Sequence, residues 1–186
     1  MLEEIIEEVK DGMEMAIEAL RRALASIRTG RASTAMLDNV RVEYYGNLTP
    51  LNQMASISVP EPRLLVIKPW EANIIPEIEK ALLADKSLGL NPSNDGAVIR
   101  LPIPELTEER RIEITKVARN RAEEGRVAVR HARRDGIDLL QEAQKDGEVS
   151  EDESRSAQEL VQKLTDEYVT RIDEIIKHKE EEIMEV

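Results

Sequence analysis

The sequence predicts an α+β chain in two parts: a bundle of three long helices, and a β-rich second domain threaded into the connection between the first helix and the second. Three observations carry this. Apolar residues recur at steps of three or four over long stretches at both ends of the chain, while all eight prolines fall between Arg31 and Pro104. Aromatic residues make up only 2% of the 186 residues, one Trp, three Tyr and no Phe. A core here must be aliphatic, which suits helices better than strands.

The first helix is read from Leu2, Ile5, Ile6, Val9, Met13, Ile17, Leu20, Leu24 and Ile27, with charged residues between them. It is expected to stop at Thr29-Gly30, with Gly30 as its C-cap and Arg28 in its last turn, facing the negative end of the helix dipole. The second unit opens with the alternating run Val40 to Tyr45, ended by Gly46-Asn47. Ile57-Ser-Val and Leu64 to Lys68 follow as short strands bounded by Pro60, Pro62 and Pro69. A short helix, with Asn73 as cap and Pro76 in its first turn, keeps Ile74, Ile78 and Leu82 in helical register. Ala97 to Leu101 returns to strand, and Pro102-Ile-Pro104 forces an extended exit.

Thr107 then caps a second long helix with acids in its first turn, running to about Lys145 and broken at Asp146-Gly147. Ser150 and Glu153 form the capping box of the last helix, whose stripe runs Ala157, Leu160, Val161, Leu164, Tyr168, Ile172, Ile175, Ile176 and Ile183. At about 1.5 Å per residue these two helices are roughly 60 and 50 Å long. The domain boundaries expected are 1–29 with 106–186 for the bundle and 30–105 for the insert. The two crossings between them, Thr29-Gly30-Arg31 and Pro102-Ile103-Pro104-Glu105, form a two-stranded hinge that can bend but hardly extend.

Charge is unevenly placed. The net charge is −12, with 26 Lys and Arg against 38 Asp and Glu, which excludes a protein that coats nucleic acid by bulk charge. By segment the balance is −7 over residues 1–109, +6 over 110–134 and −11 over 135–186. On a helical wheel Lys116, Arg119, Arg126, Arg130, Arg133 and Arg134 fall within a band of about 100°. Ile114, Ala118, Gly125, Ala128, Ala132 and Leu139 gather opposite, where small residues permit close helix approach. Arg121 lies on the apolar side, and a buried ion pair is expected there. A charge run on a helix is ordinarily a solvated face. Two features point further. Arg outnumbers Lys eight to one over residues 110–134, and Arg forks onto phosphate. Arg126 to Arg134 also contains no acid to supply a partner at i,i+4 within the run. Exposed aromatics are expected to be nearly absent, which removes stacking platforms for single strands, so the mode expected is a rigid Arg-bearing helix against the backbone of structured RNA.

Nothing points to catalysis. His131 and His178 lack metal-ligand spacing, no Cys is present, and neither a phosphate-binding Gly loop nor a Gly-x-Ser-x-Gly elbow occurs. The acidic, periodic start Met1 to Glu8 is unlike a secretory signal, and the longest apolar runs are only a few residues, so a soluble, cytoplasmic protein is expected.

Seven segments, in order, carry a family resemblance: Ile27 to Ser33, Val42 to Gly46, Pro50 to Gln53, Leu88 to Pro92, Leu106 to Arg111, Arg126 to Asp135 and Gln162 to Asp166. Over essentially its whole length the chain resembles the bacterial ribosome recycling factors; His131 stands where that family carries Asn. The resemblance implies a three-helix bundle and a small β/α/β domain hinged into an L. It also implies binding to the large ribosomal subunit after termination, with the GTPase elongation factor G then driving the subunits apart. Carried over to matching positions, Arg28, Arg31, Arg111, Arg130 and Arg133 would touch ribosomal RNA, and the insert would be the part the elongation factor pushes. It further implies a monomer with no cofactor, no metal and no membrane partner. Without the family, the competing reading is an acidic helical adaptor whose Arg stripe pairs with acids of a partner protein.

Overall fold

The computed structural model describes residues 1–86 and 88–185. Two compact units emerge, Met1–Thr29 with Thr107–Val186, and Gly30–Leu106.

The first unit is three helices: α1 (Leu2–Ala25), α3 (Glu108–Lys145) and α4 (Glu151–Met184), with α2 belonging to the insert. The caps expected for α3 and α4 form. Thr107 Oγ1 accepts the Arg110 N–H at 3.1 Å; Ser150 and Glu153 exchange both bonds of the capping box, at 3.1 and 2.8 Å. Gly147, at φ 76°, turns the chain between them. The start of α1 is as expected and its end is not. The helix stops at Ala25 with Ser26 as its C-cap in right-handed geometry, so Gly30 is not a cap and Arg22, not Arg28, occupies the last turn.

Val9, Met13, Ile17 and Leu20 of α1 pack with Ala118, Ala122, Val129 and Leu140 of α3 and Val161, Ile172 and Ile183 of α4 to form an aliphatic core. Helices α1 and α3 approach closely at two glycines. A Cβ on Gly136 would overlap Val9 Cγ2, and one on Gly12 would lie 3.2 Å from Ala132 Cβ. Of the small residues expected at such contacts, Ala132 faces Gly12, and Gly125 is buried, where a Cβ would lie 3.5 Å from Ile172 Cδ1 and 3.7 Å from Leu20 Cδ2. Ala128 is exposed, and Leu139 is only half-buried. The reason is geometric: a helix in a three-helix bundle touches two neighbours, and the buried arc of α3 centres about 110° from the middle of the basic band rather than opposite it. Arg121 is likewise exposed, paired with Glu124 at 3.2 Å on its own helix, so no buried ion pair exists there. On α4, Leu160 of the expected stripe is 43% exposed. Between α1 and α4, Glu14 accepts from Tyr168 (2.8 Å) and Arg171 (3.0 Å), whose guanidinium lies over the Tyr168 ring. These bonds, that from Arg171 foremost, hold the Glu14 carboxyl below the usual carboxylate range.

The insert contains a two-stranded ribbon, β1 (Arg41–Tyr44) with β2 (Asn47–Pro50), and a four-stranded antiparallel sheet of order β3-β4-β6-β5. Its members are β3 (Ala55–Glu61), β4 (Leu64–Pro69), β5 (Ser93–Asn94) and β6 (Ile99–Pro102). Strand β3 runs through Pro60 with a register shift between Ser58 and Glu61, so that proline sits in an irregular stretch of the strand instead of ending it. Helix α2 (Ile75–Ala84) covers the core of Val42, Leu65, Ile67, Ile78, Leu82, Ile99 and Leu101. Asn73 is not its cap: Ala72–Ile74 is a 3₁₀ turn that leads into the helix, with Ile74 at the N-cap position.

Candidate nucleic-acid interface

The basic band of α3 is present, and it is divided along its length. Arg119, Arg126 and Arg133 recur every seven residues and lie toward α4. Arg119 Nε donates to Glu180, Arg126 reaches Asp173 Oδ1 at 2.7 and 3.0 Å, and Arg133 donates to Gln162 Oε1 at 3.4 Å. Gln162 in turn donates to Asp166 at 3.0 Å. Since α3 and α4 are antiparallel neighbours, Arg119 and Arg126, seven residues apart, meet Glu180 and Asp173, also seven apart, while Arg133 reaches further along α4 to Gln162, and the result is an interhelical ladder.

The other edge carries Lys116, Arg130 and Arg134, all exposed. Glu123 enters the band about 40° from Arg119 and pairs with Arg126 (3.1 Å) and Arg130 (3.4 Å). The expectation that these arginines lack partners is therefore corrected. The run Arg126 to Arg134 holds no acid, but Glu123 and the acids of α4 reach into it. Arg126 is the extreme case, its side chain 22% exposed and its pKa raised, its carboxylate bonds outweighing burial, so it is a clamp between helices. Arg119, tied to Glu180, is likewise raised.

Of the remaining expected contacts, Arg111 is half-buried in the first turns of α3, and its Nε is buried with no hydrogen-bond partner among the described residues. Arg28 follows the end of α1 in the bundle unit, and Arg31 belongs to the insert; both are exposed. Neither lies on α3. His131 is exposed, and His178 is 3.8 Å from Glu181.

Within the insert the expected hinge residues are largely fastened down. Gly30 has φ 80°, and a Cβ there would lie 3.1 Å from Leu106 Cγ. The Ala32 N–H donates to Pro62 O at 2.7 Å and the Ile103 N–H to Arg63 O at 2.8 Å. Arg63 also pairs with Glu105. Pro102 ends β6, Ile103 is buried, and Pro104 is exposed. Both arms are thus tied to the Pro62-Arg63 turn of the insert, and Thr29 ends the bundle unit.

One expectation about the surface is also corrected. Exposed aromatics are few in number but conspicuous in placement, Tyr45 being 76% and Trp70 67% exposed.

Compared with known proteins, residues 20–184 match the family described as Ribosome recycling factor. The chain belongs to the ribosome recycling factor family. It is 54% identical to the ribosome-recycling factor of Desulforamulus reducens and 54% identical to that of Bacillus subtilis (strain 168), in each case over 186 residues covering 100% of both chains. Among solved structures, the solution structure of a ribosome recycling factor matches with a TM-score of 0.76 at 43% identity, covering 100% of this chain and 98% of the other. A second match, at TM-score 0.65, 44% identity and 100% coverage of both chains, comes from models for the T. thermophilus ribosome recycling factor and the E. coli elongation factor G bound to the E. coli post-termination complex. The family is one of translation factors, and the α+β two-part architecture expected from the sequence is that of its solved members. No helix among the described residues is long and apolar enough to cross a membrane.

Proposed function

We propose that this chain binds the large ribosomal subunit of the post-termination complex and, with elongation factor G and GTP, splits the subunits and frees them from mRNA. Family membership over the whole chain supports the overall role. The observation that carries the mechanism is the outward edge of α3, where Lys116, Arg130 and Arg134 stand exposed with Arg133 beside them on a protein of net charge −12. In that setting phosphate is attracted to one face and repelled by the rest, which orients docking as well as strengthening it. The ribosomal RNA contacts proposed are those four with Arg28, Arg31 and Arg111, while Arg119 and Arg126 contribute by holding α3 rigid against α4.

The chain acts in the cytoplasm as a monomer, without cofactor or metal, and is not itself an enzyme. GTP hydrolysis belongs to elongation factor G. The bundle, Met1–Thr29 with Thr107–Val186, anchors to RNA, and the insert, Gly30–Leu106, receives the push. The give between them lies at Thr29-Gly30 and at Leu106-Thr107, the two places where the chain crosses from one unit to the other.

Titrating salt in a binding assay with isolated large subunits tests this. Phosphate contact predicts that log K falls linearly with log salt, by about 0.7 to 0.9 per phosphate neutralised. Binding that ignores salt would instead support the adaptor reading, in which apolar helix packing dominates.

A further inference from the structure

The insert carries a feature that its own folding does not require. Strands β1 and β2 pair Tyr44 with Asn47, which leaves Tyr45-Gly46 as a two-residue turn with φ 48° and 83°. Positive φ at both positions is the type I′ pattern, whose first residue is favourably Asn, Asp or Gly. A bulky side chain in the left-handed region is disfavoured, and among the described residues Tyr45 is the non-glycine found there. Burial does not explain it, because Tyr45 is 76% exposed.

Three of the chain's four aromatic residues, Tyr44, Tyr45 and Trp70, lie in the insert. The Tyr44 and Tyr45 rings meet edge to face with centroids 4.5 Å apart. The Tyr44 hydroxyl donates to Glu71 Oε1 at 3.2 Å, which fastens the hairpin tip to the segment bearing Trp70. Burial and the nearby Glu71 carboxylate raise the Tyr44 pKa, so the hydroxyl keeps its proton and remains a donor. Leu48, 74% exposed, continues the apolar surface on the outer side of the hairpin, where it pairs across the ribbon with Glu43. Glu71 thus lies against the Tyr44–Tyr45 pair, and Glu43 stands two residues before Tyr45, opposite the exposed Leu48. Exposed rings flanked by carboxylates attract a cation: the ring face favours an ammonium or guanidinium, and the acids supply its counter-charge. The same acids repel phosphate, which argues against base stacking here.

We infer that the Tyr45–Trp70 surface of the insert is a docking site for a protein partner that presents an Arg or Lys side chain with apolar neighbours. It rests on the reading that the insert receives a protein's push, and it identifies the surface and the chemistry of that contact. Aromatic residues concentrate binding energy at protein interfaces, and a Tyr held in disfavoured geometry is already oriented for its partner.

Tyr45→Asn tests this cleanly because folding and docking pull in opposite directions. Asn-Gly is the favoured pair for this turn, so the variant should unfold at the same temperature as the parent or higher. It should bind isolated large subunits as the parent does. In subunit splitting, it should need about tenfold or more elongation factor G for half-saturation, and so should Trp70→Ala. The double variant Glu43→Gln with Glu71→Gln keeps the acceptor for Tyr44 and removes both charges. It should raise the half-saturating concentration severalfold and flatten its dependence on salt. If all these variants split subunits like the parent, this inference falls and the reading of the whole chain stands. If they lose large-subunit binding instead, the surface touches the ribosome and the inference is overturned. If the parent chain itself neither binds large subunits nor splits them, the broader reading fails and takes this one with it.

Discussion

Replacing Gly136 with Ala should destabilise the bundle, against the ordinary expectation for a glycine inside a helix. Gly136 sits in the C-terminal third of α3, two turns inside its end, and is buried. Ala is favoured over Gly in a helix interior by about 1 kcal/mol, so the local term is stabilising. The Cβ it adds would overlap Val9 Cγ2, inside the 3.0 Å that Cβ atoms keep from other heavy atoms. Val9 is 2% exposed, and as a β-branched residue in a helix it has essentially one rotamer, so the methyl cannot swing aside. Relief requires α1 to move away from α3, which is overpacking at a cost of about 1–3 kcal/mol. The net expected is a loss of up to about 2 kcal/mol, the overpacking cost less the helix-propensity gain. Urea unfolding followed by the helical circular dichroism signal reads it directly, since most of the helix is in the bundle. The double-mutant cycle with Val9→Ala sharpens the test. That change alone opens a cavity and should destabilise, but combined with Gly136→Ala it removes the overlap and should give a coupling of about 1–3 kcal/mol in the favourable direction. Gly136→Ala that stabilises by the full propensity difference, with no coupling to Val9, would refute the claim that this contact sets the distance between α1 and α3.

Four further outcomes are expected. Arg133→Glu should cut large-subunit binding sharply with an unchanged helical spectrum, whereas Arg126→Ala should chiefly lower the unfolding midpoint, since it removes a clamp bonded to Asp173 and Glu123; chemical denaturation and subunit binding measured side by side distinguish them. Ser150→Ala should destabilise by about 1 kcal/mol through loss of the capping box, read from the same urea curves. In the insert, Asp95 accepts the N–H groups of Val98 and Ala97 and pairs with Arg100, which lowers its pKa from 3.8 to about 2. A carboxyl depressed in the folded state contributes stability that is fully present above its unfolded value and lost as pH falls toward about 2; Asp95→Asn should flatten that acid limb in a pH series of unfolding midpoints. Gly30→Val should destabilise the insert, because φ 80° disfavours a β-branched residue and Leu106 occupies the space, and it should slow splitting more than it weakens subunit binding.

Local chemistry was the most readable part of the sequence. Thr107, Ser150 and Glu153 advertise their helices because a cap needs only residues three apart. Strand β2 was not foreseen, since Gly46-Asn47 read only as the end of the preceding run, and pairing with β1 is what makes Asn47–Pro50 a strand. The end of α1 misled for a related reason: Ile27 continues the apolar period, but the helix has already ended at Ala25. The basic band could be placed on α3 from spacing alone. Its ladder could not, because whether Asp173 faces Arg126 depends on how α4 slides along α3, and that register is fixed by the whole packed interface. Glu123 was the one legible signal overlooked, three residues before Arg126 and within the band. Tyr45 before Gly46 likewise marked a tight turn, but the exposure of Tyr45 and Trp70 depends on tertiary packing.

The contact between Gly30 and Leu106 bears on the order of events in folding. These residues are roughly 75 positions apart in sequence, and the insert holds them together at its base. Helix α1 must find α3 and α4 across that whole interval if the insert is still a coil, at a closure entropy of about 4 kcal/mol from the logarithm of loop length. An insert that folds first turns the long loop into a short one and hands α1 and α3 to each other with their ends already adjacent. Pairing of α3 with α4 needs no such help, as only Asp146 to Ser150 separate them. Refolding should therefore begin with two local events, the α3–α4 hairpin and the insert sheet, and finish when α1 docks, a sequence in which the threaded domain serves as a temporary splice for the bundle that surrounds it in the chain.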